Sequence, residues 1–491
     1  MRARFATVFV ALSLLMAAGC SRGPDVDTLQ KDVTGRLAQA LPDGPVTVAA
    51  FHRRGSQSDT KAPTGETRRI IYFDAELKLA RDFDFGAWDS PGVAGIVSAL
   101  GTGPRGIVGI ASGGNKTGDV VKAHGTALYR HEGGQWVAVT SGGYRPATAP
   151  AYATNTPQGA AAILDAMRKV VESVSKQTAA VHRDVIEQEL ATAHATLRAA
   201  LARADNGYAI AAGPEHGQYL RFAQALSDDK GARMVALITR GGDENLRLLR
   251  DGKVSLALAQ GDAALAAYQG KGSFAGDGPH ETLRAAGSLY PEPVHVLARA
   301  DGPLASIADL RGRRVAIGVP GAASRTTALR VLAAHGLSAK DFQPLELSIR
   351  DALVALQQKE ADAVIQVIGM PADSVRDALG EIPLRLLPLS ERAVKTLVAS
   401  RAGYFAFTIP RGTYATQSQN VRTIATAALL LVGTDLSEIE VGAVTRYVYG
   451  RGRDFTARGS AQGAQVSPAN ARQGLLIPMH NAAAKALEAL K

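Results

Sequence analysis

With one cysteine among 491 residues, Cys20, the chain can form no internal disulfide and carries no cysteine-based metal site. Its ten histidines are dispersed: there is no H-x-x-x-H pair and no carboxylate–histidine cluster at ligand spacing, so no metal centre is expected. A serine-hydrolase elbow is missing too, because Ile110 and Ala111 stand before Ser112 where G-x-S-x-G needs a glycine two residues upstream. Lysine and arginine are scattered rather than gathered into a stripe, and a net charge of +10 over this length argues against nucleic acid as a partner. After residue 20 no apolar run approaches the roughly 20 residues of a membrane span; 424–433, IATAALLLVG, stops well short. Two glycine-rich stretches lack the context of a phosphate or dinucleotide loop. GTGPRG at 101–106 leads into the strand-like IVGI rather than a helix, and in GIASGGNKT at 109–117 Asn115 separates glycine from Lys116. No catalytic residue and no cofactor are assigned.

What the sequence does contain begins with an address. In MRARFATVFVALSLLMAAGC a charged start at Arg2 and Arg4 precedes an apolar run, and Ala17, Ala18 and Gly19 lead into Cys20. Residues 1–20 resemble a bacterial lipoprotein signal, which implies that Cys20 becomes the lipidated N-terminus of a chain held in the periplasm at a membrane surface. A length of 491 residues suggests roughly three folding units. Residues 21–66 read as a tether with one short helix on Leu29, Val33, Leu37 and Leu41, followed by the polar tract RRGSQSDTKAPTGET. Residues 67–205 read as a small α+β module. Ala75, Leu77 and Leu79 alternate, and HGTALYR and QWVAVT flank a turn at His131 to Gly134. Two helices close it, one capped by Thr156 with Ile163, Met167, Val170 and Val174 inward, another over 181–203 with Val185, Leu190, Leu197 and Leu201 inward.

From Gly207 the rhythm changes to that of an α/β domain: short Val, Ile and Ala strands such as YAIAAG, MVALIT, RVAIGVP and ADAVIQV alternate with amphipathic helices. In such folds ligands sit at the carboxyl ends of strands, where helix N-termini present unpaired N–H groups. The acidic pair Asp243-Glu244 reads as solvated helix surface.

Several segments in this region, taken in order, resemble the TAXI family of solute-binding subunits of TRAP transporters. They are AAGPEHGQYLRFAQAL with Gly213, Gly217 and Tyr219, then VSLALAQGDAALAAYQG with Gln260 and Asp262, then SLYPEPVHVLAR with Tyr290, Pro291, Glu292 and His295. DLRGRRVAIGVPGAASRTTALRVLAAHGL follows with Pro320, Gly321, Ser324 and Thr326, and DAVIQVIGMPADSV with Gly369 and Pro371. IPRGTYATQSQNVRTIATAALLLV and the final IPMHNAAAKALEAL complete the series, which spans residues 206–491. The family's Gly-Ser-Gly core is replaced here by Gly321-Ala322-Ala323.

The resemblance implies an α/β, type II periplasmic-binding-protein-like domain of two lobes, preceded by the small α+β module. One lobe comprises 206–298 with 405–491 and the other 299–404. The stretch PGAASRTT at 320–327 puts Ala323, Ser324, Arg325 and Thr326 at a helix start, where the dipole favours a carboxylate. Arg325 either grips that carboxylate bidentately or points to water. Gly213 permits close backbone approach, and Gln218 and Tyr219 open the following helix. Tyr219 serves either as a wall of the site or as a core aromatic. Gln260 and Asp262 either orient polar groups of the solute or cap a helix. Tyr290 and Glu292 are either ligand contacts or hinge structure, and Gln366 faces the cleft if its strand ends there. The function implied is capture of a small anionic solute, a dicarboxylate or an amino acid, for delivery to membrane permease subunits. Two other readings share the scaffold: a solute-sensing or envelope-organising lipoprotein, and an enzyme.

Overall fold

The first helix follows from its cap and its spacing. The carboxylate of Asp25 accepts the Thr28 N–H at 2.7 Å, and Leu29, Val33 and Leu37, four residues apart, line one buried face of α1 (Val26–Ala40). The computed structural model describes residues 23–490 except 61, 89, 91, 104–105, 112, 140–182, 216, 228–232, 321, 416, 434 and 451–454. The lipoprotein signal, Cys20 and the helix expected from Thr156 lie outside the described residues.

Strands β1 (Val46–Ser58) and β2 (Arg68–Leu79) pair antiparallel, and Ile71, Phe73, Ala75, Leu77 and Leu79 of β2 alternate inward. Helix α2 (Gly92–Leu100) is apolar almost all round and buried, and Gly101, at φ +58°, ends it. Thus the glycines of GTGPRG close a helix instead of opening one. Strands β3 (Ile107–Val108), β4 (Val120–Glu132) and β5 (Gln135–Val139) complete the sheet, in the order β1-β2-β4-β3 with β5 also on β4. Gly133 and Gly134, both at positive φ, make the two-residue turn that pairs Glu132 with Gln135. The reading of 21–66 as tether needs correction, because Arg53 to Ser58 of the polar tract belong to β1. That strand is the sheet edge and only half-buried, so polar side chains are tolerated there.

Helix α3 (Arg183–Asn206) forms where expected but does not turn its predicted apolar face inward: Val185 is 61% exposed and Leu197 36%. Alanine and long charged residues sustain it by propensity. It is anchored by its last turn, where Arg203 donates to Asp435 at 2.7 Å and to Glu440 at 2.8 Å.

The remaining elements in order are β6 (Tyr208–Gly213), α4 (Gln218–Ser227), β7 (Met234–Ile238), α5 (Gly242–Arg250), β8 (Leu256–Gln260), α6 (Gly261–Gln269) and the long β9 (Arg284–Arg299). Then come β10 (Arg314–Ala316), α7 (Ala323–Ala334), β11 (Gln343–Leu345), α8 (Ile349–Gln357), β12 (Ala363–Val367), α9 (Asp373–Leu379), β13 (Leu384–Leu386) and α10 (Glu391–Ala399). Strands β14 (Phe405–Ile409) and β15 (Val421–Val432) and helices α11 (Glu438–Tyr449) and α12 (Asn481–Glu488) finish the chain.

One strand path, β11-β10-β12-β9-β15-β8-β6-β7, runs through both lobes. Each lobe repeats one order: second, first and third strand of its own βαβ series, then a strand that crosses from the other lobe. In the first lobe this reads β7-β6-β8-β15-β9 and in the second β11-β10-β12-β9-β13. Strand β9 is the shared element, its first half on β15 and its second half on β12 and β13. The fold is therefore a two-lobed, periplasmic-binding-protein-like α/β domain behind a small α+β module. Each lobe has a core on both faces of its sheet, around Phe222, Tyr290 and Tyr449 and around Leu246 and Leu429 in the first, and around Val315 and Ile365 and around Leu356 and Val364 in the second.

Candidate functional site

Between the lobes lies a cleft of about 500 Å³, lined from one side by Pro214, 217–219, 240–244, Arg247, Gln260 and Glu292 and from the other by 318–320, 322–324, 347–349 and 366–368. Its walls are the strand-end loops, and the helices that follow them point their N-termini inward: α4 and α5 from the first lobe, α7 and α8 from the second. At α5 and α7 the cap positions, Gly241 and Ala322, supply no side-chain bond to the first turn. Backbone N–H groups there keep free capacity for an anion. At α8 Ser348 takes the Asp351 N–H at 3.2 Å.

Cationic side chains in this wall are already matched. Arg240 pairs with Glu244 at 3.3 Å, and Arg247 donates to Asp277 at 2.8 Å while lying over the Phe274 ring. Acceptors are in surplus: Gln218 Oε1 and Gln260 Oε1 are buried without a partner. Glu292, buried at the cleft floor, receives the Tyr219 hydroxyl at 2.5 Å. Burial pushes its carboxyl up to about 8, with the nearby Asp262 charge adding to the rise and the Tyr219 bond opposing it. Asp243 is likewise raised by burial, against the Ser273 hydroxyl that bonds it at 2.8 Å.

Of the site residues expected from sequence, Gln218, Tyr219, Gln260, Ala323, Ser324 and Gln366 line the cleft. The other five stand elsewhere. Arg325 turns away and pairs with Glu346 at 2.6 Å, because only the first positions of α7 face the opening. Thr326 is exposed outside the cleft. Gly213 is buried behind Tyr219, and Tyr290 is packed in the first-lobe core with its hydroxyl unpartnered. Asp262, buried in the first turn of α6, accepts the Thr327 hydroxyl at 2.8 Å and the Tyr404 hydroxyl at 3.0 Å, joining the lobes behind the cleft. Gln218 also bridges the lobes, donating to Gly369 O at 2.8 Å and Pro371 O at 3.1 Å.

Sequence reasoning missed Arg240, Arg247 and Ser348, and it read Asp243 and Glu244 as solvated helix surface, whereas both line the cleft and Asp243 is only 5% exposed. The signal for this group was present: Gly241-Gly242 stand just after Thr239 and Arg240 at the end of β7, the same strand-to-helix position that exposes α7.

The sequence profile of the NMT1-like family matches residues 210–488, more than half of the chain. The chain belongs to the NMT1-like family. Among solved structures, this NMT1-like chain is similar to the periplasmic aliphatic sulphonate binding protein SsuA from Escherichia coli, at 18% identity and a TM-score of 0.34, covering 58% of this chain and 79% of that one. It is also similar to the alkanesulfonate-binding protein SsuA from Xanthomonas axonopodis pv. citri bound to MOPS, at 20% identity and a TM-score of 0.32, covering 58% and 84%. A binding protein component of an ABC phosphonate transporter from Pseudomonas aeruginosa matches at 13% identity and a TM-score of 0.31, covering 53% and 79%. Among the described residues no group of histidine, cysteine, aspartate and glutamate could hold a metal ion, and no helix is long and apolar enough to cross a membrane.

Proposed function

We propose that this NMT1-like protein is an extracytoplasmic solute-binding lipoprotein of the TAXI kind, capturing a small carboxylate-bearing solute for a TRAP-type transporter. The observation that carries this reading is the interlobe cleft of about 500 Å³ into which four helix N-termini point, two of them without a side-chain cap. An anionic group is stabilised there by oriented N–H groups and helix dipoles rather than by a free arginine. Gln218, Tyr219, Gln260 and Gln366 then fix the rest of the solute, with Ala323 and Ser324 presenting the start of α7. Gly213, Asp262 and Tyr290 act by positioning. The halves 206–298 with 405–491 and 299–404 close on the solute as rigid bodies, and differential contacts in the closed form drive docking on permease subunits. Lipidated Cys20 holds the chain at the periplasmic face of a membrane.

Isothermal titration with a panel of dicarboxylates and amino acids tests the reading. Saturable binding of a ligand that is recovered unchanged supports capture, and appearance of a reaction product rejects it. A sensing or envelope-organising role is the second reading, favoured by the way the N-terminal module bonds to both lobes through Gly86 and Thr102.

A further inference from the structure

A second cavity, of about 480 Å³, lies outside the cleft, in the seam where α1 and α2 of the N-terminal module meet the loop between β14 and β15. Two arginines line it, Arg36 from α1 and Arg411 from the loop, together with Gln39, Ser98, Gln417 and Ser418. Among the described lining residues there is no carboxylate. Arg36 is only partly compensated, by the nearby charges of Tyr129 and Asp32. Asp32, one helical turn back, holds the Tyr129 hydroxyl at 2.7 Å, and Arg36 Nε and Nη2 are buried without an acceptor. Burial holds the Arg36 guanidinium below its ordinary basicity, against the Tyr129 and Asp32 charges that raise it. Buried charged donors are almost always satisfied in folded proteins, and Arg36 Nε and Nη2, closed off beneath the cavity wall, meet an acceptor once the side chain turns into the cavity. In the interlobe cleft the arginines are paired with carboxylates; in the seam both line one cavity with no carboxylate among its described lining residues.

We infer that the seam cavity is a second anion site, taking a small oxyanion, carboxylate or phosphate, between Arg36 and Arg411. A planar guanidinium fork on each side suits two oxygens of such a group. The occupant would tie the module to the loop that carries Tyr414, whose hydroxyl bonds His295 at 2.8 Å and the Ala372 N–H at 3.1 Å beside the lobe crossing.

The test is titration calorimetry on the full mature chain in a low-salt, sulfonate-free buffer, with inorganic phosphate and succinate in separate arms. The expected result is a binding event with a Kd below about 1 mM for at least one of them, weakened about tenfold or more by Arg411→Gln. Arg411 is exposed, so that variant keeps the fold; Arg36→Gln is expected to weaken the same event, with circular dichroism confirming that it is folded. Gln260→Leu, in the cleft, is expected to leave the seam event in place. Absence of any event with either anion, or an event that Arg411→Gln leaves unchanged, overturns the inference. So does an event that Gln260→Leu abolishes, which assigns it to the cleft. An event weakened by Arg411→Gln and kept by Gln260→Leu belongs to the seam and leaves the cleft to its own titration.

Discussion

The Thr327 hydroxyl of α7 donates to the Asp262 carboxylate of α6 at 2.8 Å across the boundary between the lobes. Tyr404 reaches the same carboxylate oxygen at 3.0 Å, and Arg330 donates to the Tyr404 hydroxyl at 2.8 Å. Four side chains behind the cleft thus form one buried polar chain that closes the lobes from the rear. Thr327→Val removes a donor without changing shape and leaves Asp262 short of a partner. The expected cost is about 1–2 kcal/mol in denaturant unfolding, together with a larger radius of gyration by X-ray scattering as the lobes part. An unchanged midpoint with unchanged scattering would show that the contact does not hold the lobes.

Glu292 makes stability depend on pH in a direction opposite to most carboxylates. Its folded-state pKa of about 8 lies above the ordinary 4.5, so the folded chain keeps a proton that the unfolded chain releases. Stability is then fully present below about pH 4.5 and is lost as pH rises toward 8, at up to about 1.4 kcal/mol per pH unit. His295 works the other way. Burial lowers it to about 4, so its contribution is absent at low pH, grows as pH rises from about 4 to the ordinary 6.5, and is complete above that. Glu292→Gln removes the first trend alone. Urea melts at several pH values should show the variant gaining on the parent protein steadily between pH 5 and 8; parallel curves would contradict the buried, protonated state.

The β/α rhythm after Gly207 was legible because strands buried on both faces read as short apolar runs between amphipathic helices, and YAIAAG, MVALIT and ADAVIQV all form strands. Cleft residues at strand ends were legible for the same reason, as Gln218, Gln260 and Ser324 illustrate. Arg325 and Asp262 were not, because a strand-end position fixes where a helix starts but not which way each first-turn side chain points. Arg325 meets Glu346 only once the second lobe has folded, and Asp262 meets Thr327 only once the two lobes come together. The exposed face of α3 has a related cause: periodic apolar residues predict a face, not the presence of something to cover it.

Gln260 separates binding from folding. Its Oε1 is buried at the cleft wall with no partner, so Gln260→Leu deletes an unsatisfied acceptor while keeping most of the side-chain volume. Thermal stability is expected to hold or rise slightly, while affinity for a solute that donates to this oxygen falls about tenfold, or about 1.4 kcal/mol. Differential scanning fluorimetry and titration on the same preparation check both halves. A loss of stability without loss of affinity would make Gln260 a structural residue.

Arg376 is where three parts of the chain meet. From α9 of the second lobe it donates to Asp373 at 2.9 Å and to the Thr102 carbonyl of the N-terminal module at 2.9 Å, while Arg221 of the first lobe forms an ion pair with the same Asp373. All three charged side chains are largely buried, so Arg376→Ala leaves Asp373 with one cation and Thr102 O with no donor from this side chain. Breaking such a pair by removing one partner costs about 3 kcal/mol, well beyond the effect of a surface substitution. The loss should also loosen the module, whose other ties include the bond from Asn470 to Gly86 O at 3.1 Å and the stacking of Trp88 on Phe405 at 6.0 Å. Limited proteolysis of Arg376→Ala should therefore separate the module from the two-lobed domain faster than in the parent protein. Arg376→Lys, which keeps the charge but not the fork, should fall between them. Equal cleavage rates in all three proteins would mean that the module is held by apolar packing around Ala461 and Ala464 alone.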